Sequence, residues 1–243
     1  MADTSTIAPT TAEVAPSGGE HMSILDAAKA YRARQWMPIP LPFRSKKTKR
    51  KDWPEMRLSA EDLPRYFKAQ KQNIGILLGE PSGWLIDVDL DHPRAVELAS
   101  QYLPATPSIF GRASRRRSHW LYVITRPAAT RKFRSRSAGM IVEFRSTGGQ
   151  TVFPPSTHEG GEPIEWEDPT AEPAKVDPDE LMSACVALAD AVLIELGEKR
   201  QPKPKKLVEK AQPEPATAPE AQPAEPDVSA YHRCLRTPNI MGS

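Results

Sequence analysis

The chain has 243 residues and a net charge of +2, and its 26 prolines stand against 13 glycines. Two cysteines, Cys185 and Cys234, are too few for a disulfide framework or a zinc site, which excludes a small stapled secreted module. No stretch reads as a signal peptide or a membrane span, so a reducing, cytoplasmic setting with no membrane partner is expected.

Eight of the prolines crowd into residues 198–243. Residues 1–22 are small and polar without periodicity, and residues 198–243 run through repeated Pro, Ala, Glu and Lys. Both read as disordered, because they carry too little apolar surface to offset the entropy of ordering. A single folded domain is therefore expected over residues 23–197.

In chain order, Ile24, Ala27, Ala28, Tyr31 and Trp36 recur at near-helical spacing and predict a helix over residues 23–35, with Ser23 as its cap. Residues 38–43 place proline at every second position, which forbids helix and predicts an edge strand. A basic loop with Lys49, Arg50 and Lys51 follows, and then a capping-box-like start at Ser59 to Asp62 for a short helix through Phe67. Residues 73–79 read as a buried strand, which the Pro81-Ser82-Gly83 turn pairs as a hairpin with the next strand.

That next strand is the centre of the reading. In Trp84-Leu85-Ile86-Asp87-Val88-Asp89-Leu90-Asp91, period-two alternation puts Asp87 and Asp89 on one face and Val88 on the other. Adjacent carboxylates repel unless a cation joins them, and hard divalent ions such as Mg2+ or Mn2+ take oxygen ligands of this kind. Asp91 either continues that face or caps the helix predicted over Pro93–Tyr102; the capping reading is taken.

Further on come a strand at residues 108–110, an arginine-rich loop, a strand at residues 119–124, and strands at residues 140–145 and 151–153 joined by a Gly148-Gly149 hairpin turn. Pro154-Pro155 stiffens a loop on which His158 reads as solvent-exposed, and residues 164–166 read as an edge strand. Asp177, Pro178 and Glu180 open a last helix with a core face of Leu181, Cys185, Leu188 and Val192. Helices and strands mix early and strands dominate later, which predicts an α+β fold with a mixed, largely antiparallel sheet and flanking helices.

Charge is unevenly placed. Between Leu98 and Val142 there is no Asp or Glu but nine basic residues, including Arg112, Arg115, Arg116 and Arg117. Basic runs on either side of an acidic strand fit a polyanion held near a metal.

The chain resembles the bifunctional primase–polymerase domains of the archaeo-eukaryotic primase superfamily. The residues that carry the resemblance are Asp87-Val88-Asp89, Arg117-Ser118-His119, Val142-Glu143-Phe144-Arg145, Gly148-Gly149 and Pro154-Pro155-Ser156, spread over residues 24–166. Two features depart from the family pattern. Glu143 stands where Asp is commoner, and residues 111–117 replace the Gly-rich stretch before the histidine.

The resemblance implies an RRM-like catalytic core and metal-dependent, template-directed nucleotidyl transfer by a DNA primase, DNA polymerase or both, of a plasmid, phage or mobile element. It implies Mg2+ or Mn2+ on Asp87, Asp89 and Glu143, with His119 beside them in the catalytic set. Ser118, His119, Arg145, Gly148 and Gly149 would bind the NTP or dNTP. Lys49, Arg50, Lys51, Arg112, Arg115, Arg116 and Arg117 would hold a single-stranded DNA template. No Gly-x-x-x-x-Gly-Lys-Ser/Thr motif occurs, so a replicative helicase partner would be encoded separately. Two rivals use the same scaffold or acids. One is a non-catalytic nucleic-acid-binding or replication-initiation module. The other is a two-metal nuclease, which has no use for a triphosphate-facing His119 and Arg145.

Overall fold

A computed structural model describes residues 22–199, so the expectations for residues 1–21 and 200–243 lie outside the described residues. Among the described residues, two sheets and four α-helices make up the fold. The smaller sheet has three antiparallel strands in the order β1 (Met37–Pro42), β2 (Gln72–Leu77) and β8 (Gln150–Phe153). Helices α1 (Ile24–Ala33) and α2 (Leu63–Tyr66) accompany it. The larger sheet runs β6 (Arg131–Ser135), β7 (Gly139–Arg145), β3 (Leu85–Leu90), β5 (Arg115–Ile124), β4 (Ile109–Arg112), β9 (Ile164–Trp166). Every pair along that path is antiparallel, and β10 (Ala174–Val176) adds a parallel pairing to β5. The α+β class with largely antiparallel sheets is therefore what the residues form.

Alternation on the central strands divides two cores. Ile86, Val88 and Leu90 of β3, with Trp120, Tyr122, Val142 and Phe144, pack under α3 (Pro93–Tyr102) and α4 (Pro178–Glu195). From the opposite face, Leu85, Phe110 and Leu121 join Ile39, Leu41, Ile74, Ile76 and Phe153 of the smaller sheet. Burying each such side chain contributes roughly 1.5–3 kcal/mol. The polar residues of β3 lie on this second face, where the apolar contact between the sheets gives way to a cleft.

Local signals hold well. Ser23 caps α1 by accepting from the Asp26 N–H at 3.1 Å, and Asp177 caps α4 by accepting from Asp179 and Glu180. Leu181, Cys185, Leu188 and Val192 are all fully buried. Around α2, Asp62 accepts from the Ser59 N–H at 3.0 Å, the reverse half of a capping box, and the helix itself is a single turn.

Pairing differs from expectation in three places. The β2–β3 hairpin does not form. A 3-10 turn over Glu80–Ser82 and positive φ at Gly79, Gly83 and Trp84 carry the chain onto the other sheet, leaving only a Gly79–Leu85 bridge. A Cβ on Gly79 would meet the Thr147 backbone at 2.4 Å, so this crossing needs glycine. Likewise β7 and β8 are not a hairpin: the Gly148-Gly149 turn passes from the larger sheet to the smaller. The arginine-rich stretch is no loop either, since Arg115, Arg116 and Arg117 open β5, and Arg112 pairs with Arg115 across a two-residue turn.

Candidate active site

One line of register crosses the larger sheet. Trp166 pairs with Phe110, Phe110 with His119, His119 with Asp89, Asp89 with Glu143, and Glu143 with Lys132. Residues directly opposite on neighbouring strands share a face. Six strands thus present an aromatic pair, an imidazole, two carboxylates and an ammonium in one row. The neighbouring line brings Asp87 opposite Arg145.

Along β3 the acids grade from inside to outside. Asp87 is fully buried, Asp89 is nearly so, and the Asp91 side chain is a third exposed. Asp91 is not the helix cap: His92 is, with its Nδ1 accepting from the Arg94 N–H at 3.2 Å. The strand's alternation persists, and Asp91 joins Asp89 and Glu143, with one carboxylate oxygen of each within 4.8 Å of the others. Asp87 stands apart from that trio and serves its neighbours. It accepts a hydrogen bond from the Thr151 hydroxyl at 2.7 Å and lies 3.0 Å from His119 Nδ1.

His119 is further fixed by Phe110, whose ring stacks on the imidazole at 4.5 Å and 12°. Arg145 lies among the acids. Its Nη2 contacts Asp89 Oδ2, its Nε lies 3.2 Å from Glu143 Oε2, and its Nη1 is 3.2 Å from Thr151 Oγ1 and 4.0 Å from Asp87 Oδ2. Lys132 reaches Glu143 from the sheet edge at 3.1 Å.

These contacts set the ionisation. Burial pushes the Asp87 carboxyl up, but His119, Arg145 and Thr151 together hold it below its ordinary value. For Asp89 burial wins: helped by repulsion from Asp87 and Asp91, it lifts the carboxyl to about 6 against the pull of His119 and Arg145. Burial disfavours a charged His119, yet Asp87 and Asp89 raise its pKa above the usual imidazole value.

The bifunctional DNA primase/polymerase N-terminal family matches this chain over residues 28–181. The chain belongs to that family. No curated protein matches it. The match spans both sheets and every element of the site, ending within α4.

In this primase/polymerase domain the row opens into a cleft of about 660 Å3 between the sheets. Of the residues expected at the site, Asp89, Ser118, His119, Glu143, Arg145, Gly148, Gly149, Arg112 and Arg115 line it, with Asp87 buried behind. Lys49, Arg50, Lys51, Arg116 and Arg117 are not among the lining residues. Arg50 pairs with Asp52, and Arg117 pairs with Glu167 at 2.6 Å while covering the Trp120 ring. Lys46 and Lys47 line the cleft in place of their neighbours, and so do Lys132, Thr151 and His158, the last against the exposed-loop reading.

The Pro154-Pro155-Ser156 loop is laced to β2. Ser156 Oγ accepts from the Ile74 N–H at 2.9 Å, and Asn73 bonds both Thr157 and the Ser45 carbonyl. Asn73 thereby fixes both loops that wall the cleft opposite the acids.

The donor set fits a hard divalent cation, with carboxylate oxygens of Asp89 on β3, Asp91 just past its end and Glu143 on β7 converging in the cleft. Arg145 already brings positive charge to the same oxygens.

Proposed function

We propose that this domain catalyses metal-dependent, template-directed nucleotidyl transfer, as a DNA primase, DNA polymerase or both, of a plasmid, phage or mobile element. The carrying observation is the cross-strand row of His119, Asp89 and Glu143 at the floor of a cleft with basic walls. In the reaction the 3′-oxygen of a primer or first nucleotide bonds to the α-phosphorus as the bond to pyrophosphate breaks. Mg2+ or Mn2+ supplies charge neutralisation at the phosphates and lowers the pKa of the attacking hydroxyl.

Asp89, Glu143 and Asp91 would hold that cation, and Asp87, fully buried, would act mainly by holding His119. With Nδ1 turned to Asp87, the imidazole keeps Nε2 as its remaining polar atom, suited to a triphosphate oxygen. Arg145 would offer its planar fork to the same phosphates. Ser118, next to the histidine within β5, and the Gly148-Gly149 turn line the cleft and would hold the rest of the nucleotide. Lys46, Lys47, Arg112 and Arg115 line the cleft and would meet the phosphates of a single-stranded DNA template, Arg112 and Arg115 exchanging their present partners Glu162 and Asp91 for them.

The test is a primer-synthesis and primer-extension assay with NTPs or dNTPs, Mn2+ and a single-stranded template, comparing the wild-type chain with Asp89→Ala and Glu143→Gln. Incorporation by the wild type and its loss in both variants, with DNA binding retained, is the expected result. DNA binding without incorporation in the wild type would instead favour a non-catalytic binding module.

A further inference from the structure

Arg145 lines the cleft, yet its guanidinium is engaged by the acids: the side chain is three-quarters buried and contacts the oxygens of Asp89, Glu143 and Thr151. Asp89 and Glu143 are also two of the three acids whose oxygens converge as candidate metal ligands. One cation already neutralises what a second would bind.

We propose, resting on the metal-dependent reading above, that Arg145 is an exchangeable counter-ion: it holds Asp89 and Glu143 when no metal is bound, and metal entry releases it toward the phosphates of the nucleotide. Two considerations favour exchange over simple coexistence. Arg145 occupies one oxygen each of the two carboxylates that a metal would also draw on, and a guanidinium and a divalent ion close to the same carboxylates repel each other. The side chain also has room for a second partner class, because it lines the same cleft as Thr147, Gly148, Gly149 and Lys132, where a phosphate would be met by further donors. Metal and nucleotide binding then become coupled through one residue, since a metal-free site keeps its phosphate ligand occupied.

The exchange predicts a result that runs against ordinary loss of function: removing Arg145 should improve metal binding. Mn2+ affinity is to be measured by electron paramagnetic resonance on the full-length chain without nucleotide, for wild type, Arg145→Gln and Lys132→Gln. Arg145→Gln should bind Mn2+ about tenfold more tightly, within the ordinary range of a coupling between sites. Lys132 also contacts Glu143 but from a half-exposed edge position, so Lys132→Gln should change affinity by no more than about threefold, the scale of an exposed pair. In the wild type, Mg2+ titration should shift the Arg145 Nε–H resonance as the Glu143 contact is lost.

If the wild type binds Mn2+ and Arg145→Gln binds it equally or more weakly, the exchange is overturned and the carboxylate metal site stands. Equal gains in both variants would reduce Arg145 to a general field effect and also overturn it. A wild-type chain that takes up no Mn2+ would overturn the metal reading and the inference together. Should Arg145→Gln not fold, Arg145→Lys keeps the charge but cannot span several carboxylates, so a smaller tightening is expected. A wild-type Nε–H signal unmoved by saturating Mg2+ would overturn the exchange without any variant.

Discussion

Removing Asp87 and Asp89 together takes both carboxylates from His119 and leaves the largely buried Arg145 with Glu143 alone. Repulsion between the two acids, taken alone, makes the double Ala variant more stable without metal. The contacts reverse that sign, because breaking a buried ion pair from one side costs roughly 3–5 kcal/mol. We expect Asp87→Ala/Asp89→Ala to melt well below the wild type in EDTA, and a melting temperature equal to or above wild type would refute this balance of charges. Phe110 offers a subtler probe, since Phe110→Leu keeps an apolar group against Phe153 and Trp166 but removes the ring stacked on His119. Stability should fall by about 0.5–1.5 kcal/mol beyond the lost area. Incorporation should suffer through the apparent nucleotide KM, and kcat lowered with KM unchanged would argue against a positioning role. Motif order alone groups Asp87, Asp89, His119, Glu143 and Arg145, and the register brings these five side by side, but the converging oxygens include Asp91 where the motif order had Asp87. Asp91 was misread because an acid before a proline-started helix suits capping as well as strand alternation, and only His92's Nδ1 bond decides between them. Thr151 and Phe110 carry no sequence signal, for their roles exist only through register.

The elements divide the same way. Helix α4 was legible to its first residue because Asp177 and Pro178 act on bonds within the helix, and α3 because its span is set by Pro93 and local periodicity. Strand partners were not legible: alternation tells which face a residue takes but not which sheet receives it, so β2–β3 and β7–β8 read as hairpins. Strand β6 was missed because only Phe133 and Ser135 of its five residues are buried, leaving a polar edge that reads as loop. Beyond α4, Glu198 lies past the expected boundary at residue 197, yet its carboxylate accepts hydrogen bonds from Ser135, Arg136 and Ser137 in the β6–β7 turn. The Ser137 hydroxyl, then the Arg136 N–H, hold its pKa down to about 2. A depressed carboxylate contributes fully above its ordinary value near 4.5 and loses that contribution as pH falls toward 2. The wild-type melting temperature should therefore drop more between pH 5 and pH 2.5, a span of roughly the ordinary carboxylate range, than that of Glu198→Gln. Parallel curves for the two proteins would deny the turn this anchor.

At the scale of the molecule, a cleft between two sheets selects among cations that the sequence presents as runs. Lys46, Lys47, Arg112 and Arg115 line it, whereas Lys49, Arg50, Lys51 and Arg116 do not, although both sets come from the same two basic stretches. Charge density marked the stretches, but which side of a two-residue turn faces the acids depends on how the β4–β5 hairpin meets the loop after β1. Gly111 fixes the first of these, since a Cβ there would meet the Arg115 carbonyl at 2.4 Å. Asn73 fixes the second through the Ser45 carbonyl. If the cleft carries the template, these four cations, with Lys132 and Arg145 left to the acids they contact, should account for most of the salt dependence of binding. Each phosphate contact on a single strand contributes about 0.7 to the slope of log K against log salt, so changing all four to Gln should flatten that slope by roughly 3. Changing the four outside residues to Gln removes the same net charge but should flatten it by less than about 1. The turn at Arg112 should survive, because Ser114 still donates to Glu162 through both its N–H and its hydroxyl. Binding isotherms for a short single-stranded DNA at several salt concentrations decide the matter. Equal flattening in the two sets would mean that net charge, and not the cleft, holds the strand, while the larger loss in the outside set would place the template on another face of the domain.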